Sequence, residues 1–116
     1  MSSEPLDSSN VVGRRMRSRR EELGWSQEKV GVLIGIDESS SRARISRYEL
    51  GTHEPPLKTA RLIAEALGVP LAYLYCEDDD VAQLLVALWK LEPLARRGAV
   101  CSWLDEMPER SASQLL

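Results

Sequence analysis

The chain has no phenylalanine, a single histidine and only two cysteines in 116 residues. Without phenylalanine, Leu, Val, Ile and Ala, together with three tryptophans, are expected to fill the core. His53 stands alone, and Cys76 and Cys101 are far apart with no C-x-x-C pair. That pattern supports no zinc site and predicts buried, reduced thiols rather than a disulfide. No apolar run approaches the roughly 18 residues that a membrane span requires. The opening Met1-Ser2-Ser3-Glu4-Pro5 lacks the basic start and apolar stretch of a signal peptide, so a cytoplasmic location is expected. There is no glycine-rich phosphate loop. Enzymatic chemistry, a cofactor and a small-molecule ligand are accordingly not expected.

Acidic residues outnumber basic ones 18 to 15, and the net charge of −3 argues at first against a nucleic-acid partner. The distribution argues the other way. Arg14 to Lys58 carries ten basic and seven acidic residues, whereas Thr59 to Leu116 carries five and nine. The basic half is the one expected to meet an anionic partner.

Periodicity predicts an all-α chain. Residues 1–9 are polar and turn-rich and are expected to be disordered. A first helix is predicted from about Asn10 to Leu23, with Val12, Met16 and Leu23 on one face and Arg14, Arg15, Arg17 and Arg19 mostly on the others. Gly24 stops it. Ser26 is placed to cap a second helix, and Trp25 and Val30 stand where a hydrophobic staple fixes its entry angle. Val30, Leu33 and Ile34 give that helix its apolar face before Gly35 breaks it. A short third helix carries Ser41 to Glu49 and ends at Gly51. Successive prolines make His53-Glu54-Pro55-Pro56 a loop. A fourth helix, about Lys58 to Leu67, sets Ala60, Ile63, Ala64 and Leu67 at helical spacing, and Pro70 suits the first turn of a fifth, Leu71 to Tyr75. Glu77-Asp78-Asp79-Asp80 reads as an acidic junction without calcium-loop spacing. Beyond it, helices are predicted at Val81 to Leu91 and at about Leu94 to Met107, and residues 108–116 are expected to be flexible.

The third helix holds three arginines, Arg42, Arg44 and Arg47, but only one aliphatic core residue, Ile45. No carboxylate lies among residues 39–48. At 100° per residue, Ser41, Ile45, Tyr48 and Glu49 fall on one side. Ala43, Ser46 and Arg47 fall opposite, with Arg42 and Arg44 on the flanks. Arginine is the commonest reader of guanine because its fork matches O6 and N7. Such a helix is explained as one presented to a DNA groove. Ala43 permits close approach, Ser46 suits base or phosphate, and the flanking arginines suit base or phosphate alike. Ser41 is kept among the candidate contacts because the start of the helix is not fixed. His53 reads as a loop residue or phosphate contact, and Lys58 and Thr59 can grip a phosphate at the start of the fourth helix.

Arg15-Met16-Arg17-x-x-Arg20, Gly24-Trp25-Ser26-Gln27-Glu28, Ile45-Ser46-Arg47-Tyr48-Glu49-x-Gly51 and Ile63-Ala64-x-Ala66-Leu67-Gly68-Val69 together resemble the Cro/cI-type (XRE) helix-turn-helix family of bacterial and phage repressors. The match runs over roughly residues 11–75. The resemblance implies a five-helix, lambda-repressor-like DNA-binding domain over 10–76, here followed by two additional helices. It implies that the third helix lies in the major groove of double-stranded DNA. It also implies that Gln27 touches a phosphate while buttressing that helix, and that Arg20 and Glu49 form a buried structural ion pair. One departure stands out: Asp37-Glu38-Ser39-Ser40 reads as about four extra residues in the turn, leaving Asp37, Ser39, Ser40 or Ser41 as the N-cap. No region supports the self-cleavage that some phage repressors use.

The segment 77–107 is read as a helical dimerisation tail. Val81, Leu84, Leu85, Leu88 and Leu91, widened by Val86 and Trp89, spread over about 220°, more than the roughly 100° a surface helix needs. Trp103, Leu104 and Met107 offer a matching surface. A homodimer is expected to bury both and to set two recognition helices one DNA turn apart. The alternative is an antitoxin-like or adaptor module that uses the same fold for protein partners.

Overall fold

The structure, a computed structural model, describes residues 10–109. The expectations for residues 1–9 and 110–116 lie outside the described residues. Over these residues seven helices follow one another: α1 (Val11–Leu23), α2 (Gln27–Leu33), α3 (Glu38–Leu50), α4 (Leu57–Leu67), α5 (Leu71–Tyr75), α6 (Asp79–Trp89) and α7 (Pro93–Glu106). Among the described residues there is no strand, and no helix is long and apolar enough to cross a membrane.

The helix ends follow from local chemistry. Gly24 closes α1 in the left-handed region, at φ 72°, with its N–H bonded back to the last turn. The Ser26 hydroxyl accepts the Lys29 N–H at 3.0 Å and caps α2. Asp37 caps α3: its carboxylate accepts from the Ser39 N–H at 3.1 Å and from the Ser39 hydroxyl. The four residues that read as an extended turn are therefore the cap and first turn of α3 itself. The α2–α3 turn stays short, and the recognition helix is one turn longer than the sequence suggests. Asp78 caps α6 by accepting the Val81 N–H at 2.9 Å. The acidic junction is thus largely the start of a helix, with Asp79 and Asp80 in its first turn.

The tryptophans do not fill the core. Trp25 is half-buried, Trp89 38% exposed and Trp103 36% exposed. Met16, Ile45, Ile63, Leu67, Tyr73 and Leu74 do the filling, each nearly inaccessible. In α2 the inner face is Val30 and Gly31, with Leu33 left 52% exposed. The thiols also depart from expectation: Cys76 is half-buried and Cys101 exposed, both free.

Two helical glycines set how closely the helices approach. A Cβ on Gly31 would meet the Ser41 Cβ at 2.4 Å, and one on Gly13 would meet the Tyr48 and Glu49 carbonyl oxygens at 2.5 Å. No side chain fits at either place, so α1 and α2 lie directly against α3.

The arginines of α1 face inward more than their charge suggests. Arg15 is 6% exposed. Its Nε donates to the Cys76 carbonyl at 2.8 Å and its Nη2 to Asp79 at 2.9 Å. Arg19 Nε donates to the Leu67 carbonyl at 2.9 Å. Part of the positive charge of the N-terminal half is therefore used inside the fold. The same Arg15 bonds hold α6 to the body, where Ala82 and Val86 enter the core. The predicted tail is divided: α6 belongs to the core, and α7 does not.

Candidate nucleic-acid interface

Helix α3 presents two unlike faces. Ser41, Ile45, Tyr48 and Glu49 are buried, whereas Arg42, Ala43, Arg44 and Arg47 are exposed and Ser46 is half-buried. Ser41 is the correction among the candidate contacts. It is fully buried against Gly31, and its hydroxyl donates within the α2–α3 turn, to the carbonyls of Ile36 at 3.1 Å and Asp37 at 3.0 Å. It is a packing residue and cannot reach a groove.

Glu49 fixes α3 from behind. Its carboxylate accepts from Arg20 Nε at 2.7 Å, from Arg20 Nη2 at 2.9 Å and from Gln27 Nε2 at 3.0 Å. Arg20 Nη1 also donates to the Trp25 carbonyl at 3.0 Å. The hydrogen bond to Glu49 raises the Arg20 pKa against the cost of burial. One carboxylate thereby ties the ends of α1 and α2 to α3, as the resemblance implies. Asn10 adds a fourth tie, donating to the Glu49 backbone carbonyl at 3.0 Å.

The exposed side of α3 forms a ridge between two hollows. On one side a concavity of about 580 Å³ brings together Gln27, Arg42 and Ser46 with Arg17 and Ser26. On the other, a hollow of about 290 Å³ brings Arg44 to Thr59, Ser40 and Leu62. Lys58 is exposed one residue from Thr59, at the start of α4. His53 stands apart, in a third and smaller hollow with Asn10 and Gly51 at the end of α3. Ala43, Ser46, Arg47 and Leu50 recur along the ridge at helical spacing, and Leu50 is 69% exposed. Leu50 and Arg17 also line this surface, although their positions in the sequence do not single them out as candidates. Leu50 stands seven residues after Ala43, on the same face of α3.

Residues 16–74 match the helix-turn-helix family. This chain belongs to the XRE-type helix-turn-helix family of transcriptional regulators. It is 38% identical over 64 residues, 55% of this chain and 43% of the other, to an uncharacterised helix-turn-helix transcriptional regulator of Sinorhizobium medicae. It is 32% identical over 69 residues, 60% of this chain and 59% of the other, to the cryptic phage CTXphi transcriptional repressor RstR of Vibrio cholerae. The chain thus spans about half the length of these curated relatives. The crystal structure of the transcriptional regulator BswR is similar over 82% of this chain and 93% of its own, at 35% identity and a TM-score of 0.73. A likeness over 82% of the chain cannot be confined to residues 16–74, so it takes in part of the helical pair α6–α7. The family consists of regulators, not enzymes.

Proposed function

We propose that this XRE-type protein is a cytoplasmic, sequence-specific double-stranded DNA-binding repressor, acting as a homodimer on a pseudo-palindromic operator. The carrying observation is the two-faced α3: a buried face anchored by Glu49 and an exposed face with three arginines and no carboxylate from residue 39 to residue 48. Arg42 and Arg47 read base edges, Ala43 and Leu50 meet thymine methyls, and Ser46 lies between base and backbone. Gln27 and Arg17 on one wall, and Arg44, Lys58 and Thr59 on the other, hold phosphates. The name of the Vibrio relative supports repression.

The homodimer rests on apolar surface that the chain itself leaves uncovered. Val81, Leu84, Leu91, Leu104 and Met107 are each 39–63% exposed. Two of the residues assigned to that interface are already used within the chain: Leu88 is 8% exposed and Leu85 packs against the core. Trp89 is partly covered by Arg96, whose guanidinium lies 3.7 Å from its ring centre.

Selection of bound sequences from a random duplex pool, followed by titration at two salt concentrations, tests the function. The expected result is a pool enriched in an inverted repeat with half-site centres about 10 bp apart, and affinity that falls steeply with salt. Affinity independent of salt, with no enriched sequence, would overturn it and favour a protein-binding module.

A further inference from the structure

Helix α7 has no buried residue. Its half-buried positions are Arg96, Ala99 and Val100. Arg96 turns back onto the end of α6 and the residues that follow it: its Nε donates to the Leu88 carbonyl at 3.2 Å and its Nη2 to the Leu91 carbonyl at 3.4 Å. The opposite side carries Leu94, 83% exposed, Leu104, 63% exposed, and the exposed Arg97 and Cys101. Positions 94, 97, 101 and 104 recur with the three-four spacing of a helix that packs along a partner helix. A lone helix of 14 residues is marginal in water.

Two further features make no sense for a solitary helix. Asp105 and Glu106 end α7 at the pole where the backbone dipole favours cations. Gly98 sits mid-helix, at a cost in helix stability, yet a Cβ there would meet nothing within 4 Å in its own chain.

We propose that α7 pairs antiparallel with α7 of a second copy of this chain, about a two-fold axis at Cys101. Antiparallel pairing about that point sets a residue before the axis opposite the one equally far after it. Arg97 then faces Asp105 of the partner subunit, and Gly98 leaves room for Leu104 of the partner subunit. The charges that disfavour the single helix become complementary in the pair, and each contact occurs twice. The pairing rests on the homodimer reading above and names the element that builds it.

Sedimentation of the full chain at tens of micromolar, with circular dichroism to verify folding, is the test. Arg97→Asp places like charges together at both symmetric sites, and the dimer is expected to weaken about tenfold or more. Arg97→Asp combined with Asp105→Arg is expected to restore it. In a Cys76→Ser background Cys101 is the remaining cysteine, and mild oxidation is expected to link two chains through it. A wild-type chain that sediments as a monomer would remove the homodimer and the pairing together. A wild-type dimer that ignores Arg97→Asp and yields no Cys101 link would keep the homodimer and overturn the pairing.

Discussion

At the scale of single residues, Glu49 is the most constrained side chain. Its carboxylate is 3% exposed and accepts three hydrogen bonds from two other elements. Arg20 stays charged at any accessible pH, the more so for its bond to Glu49. Glu49→Gln therefore leaves a largely buried cation without its counter-charge. The expected loss is about 3–5 kcal/mol, read as a lower denaturant midpoint. An unchanged midpoint would mean the pair does not hold α3. This pair was legible in the sequence because two charged residues stood on inward helix faces within a recognisable motif. The inward turn of Arg15 and Arg19 was not. Their partners include backbone carbonyls, of Cys76 and Leu67, which carry no mark in the side-chain sequence. Charge counting thus overstated how much of the basic half is free for DNA.

Among the elements, the existence of each helix was legible, and so was the Ser26 cap of α2, but the starts of α3 and α6 were not. All seven helices of the described residues were expected, five from apolar spacing, α3 from its arginines and closing Gly51 and α5 from Pro70, but α3 and α6 begin earlier than predicted because aspartates cap them. Asp37 and Asp78 each stand one helical turn ahead of the apolar periodicity. Glycines at helix seams were also silent, since a glycine within a helix reads only as a tolerated weakness. The seam between α2 and α3 offers a direct check. Gly31→Ala puts a Cβ at 2.4 Å from that of Ser41. Overpacking of this kind costs about 1–3 kcal/mol, and here it also changes the angle between the two helices. We expect a lower melting temperature and a loss of specific DNA affinity beyond the loss in stability. A variant that melts and binds as the wild type would show that the seam is loose.

The cap of α3 adds a pH dependence. The Ser39 hydroxyl and N–H bonds hold the Asp37 carboxyl below its ordinary pKa. A carboxyl lowered in the folded state contributes stability above its unfolded value, and that contribution disappears as pH falls through the folded value. Asp37→Asn keeps a good cap without a titrating group. The wild type is expected to lose stability relative to Asp37→Asn as the pH is lowered through and below about 4. A constant difference between the two across that window would contradict the assignment of the cap.

In the whole molecule, α3 and α6 are anchored to one core, α6 through the Arg15–Asp79 bond and the Ala82–Val86 face, and α3 through Glu49. In the homodimer proposed above, α6 would carry that fixed orientation to the second recognition helix. The broad apolar arc was legible in the sequence, but its use was only half legible. Leu85, Val86 and Leu88 serve the chain's own fold, and periodicity alone does not distinguish an inner face from an interface. In the function proposed above, α3 reads DNA sequence through its exposed ridge. The most direct test of this reading is a comparison of binding preferences selected from random duplexes by the wild type, by Arg42→Ala and by Arg47→Ala. Each variant is expected to lose preference at one symmetric pair of positions, at about 1–3 kcal/mol per contact, while non-specific affinity changes little. Two variants that select the wild-type sequence with unchanged preference would contradict it.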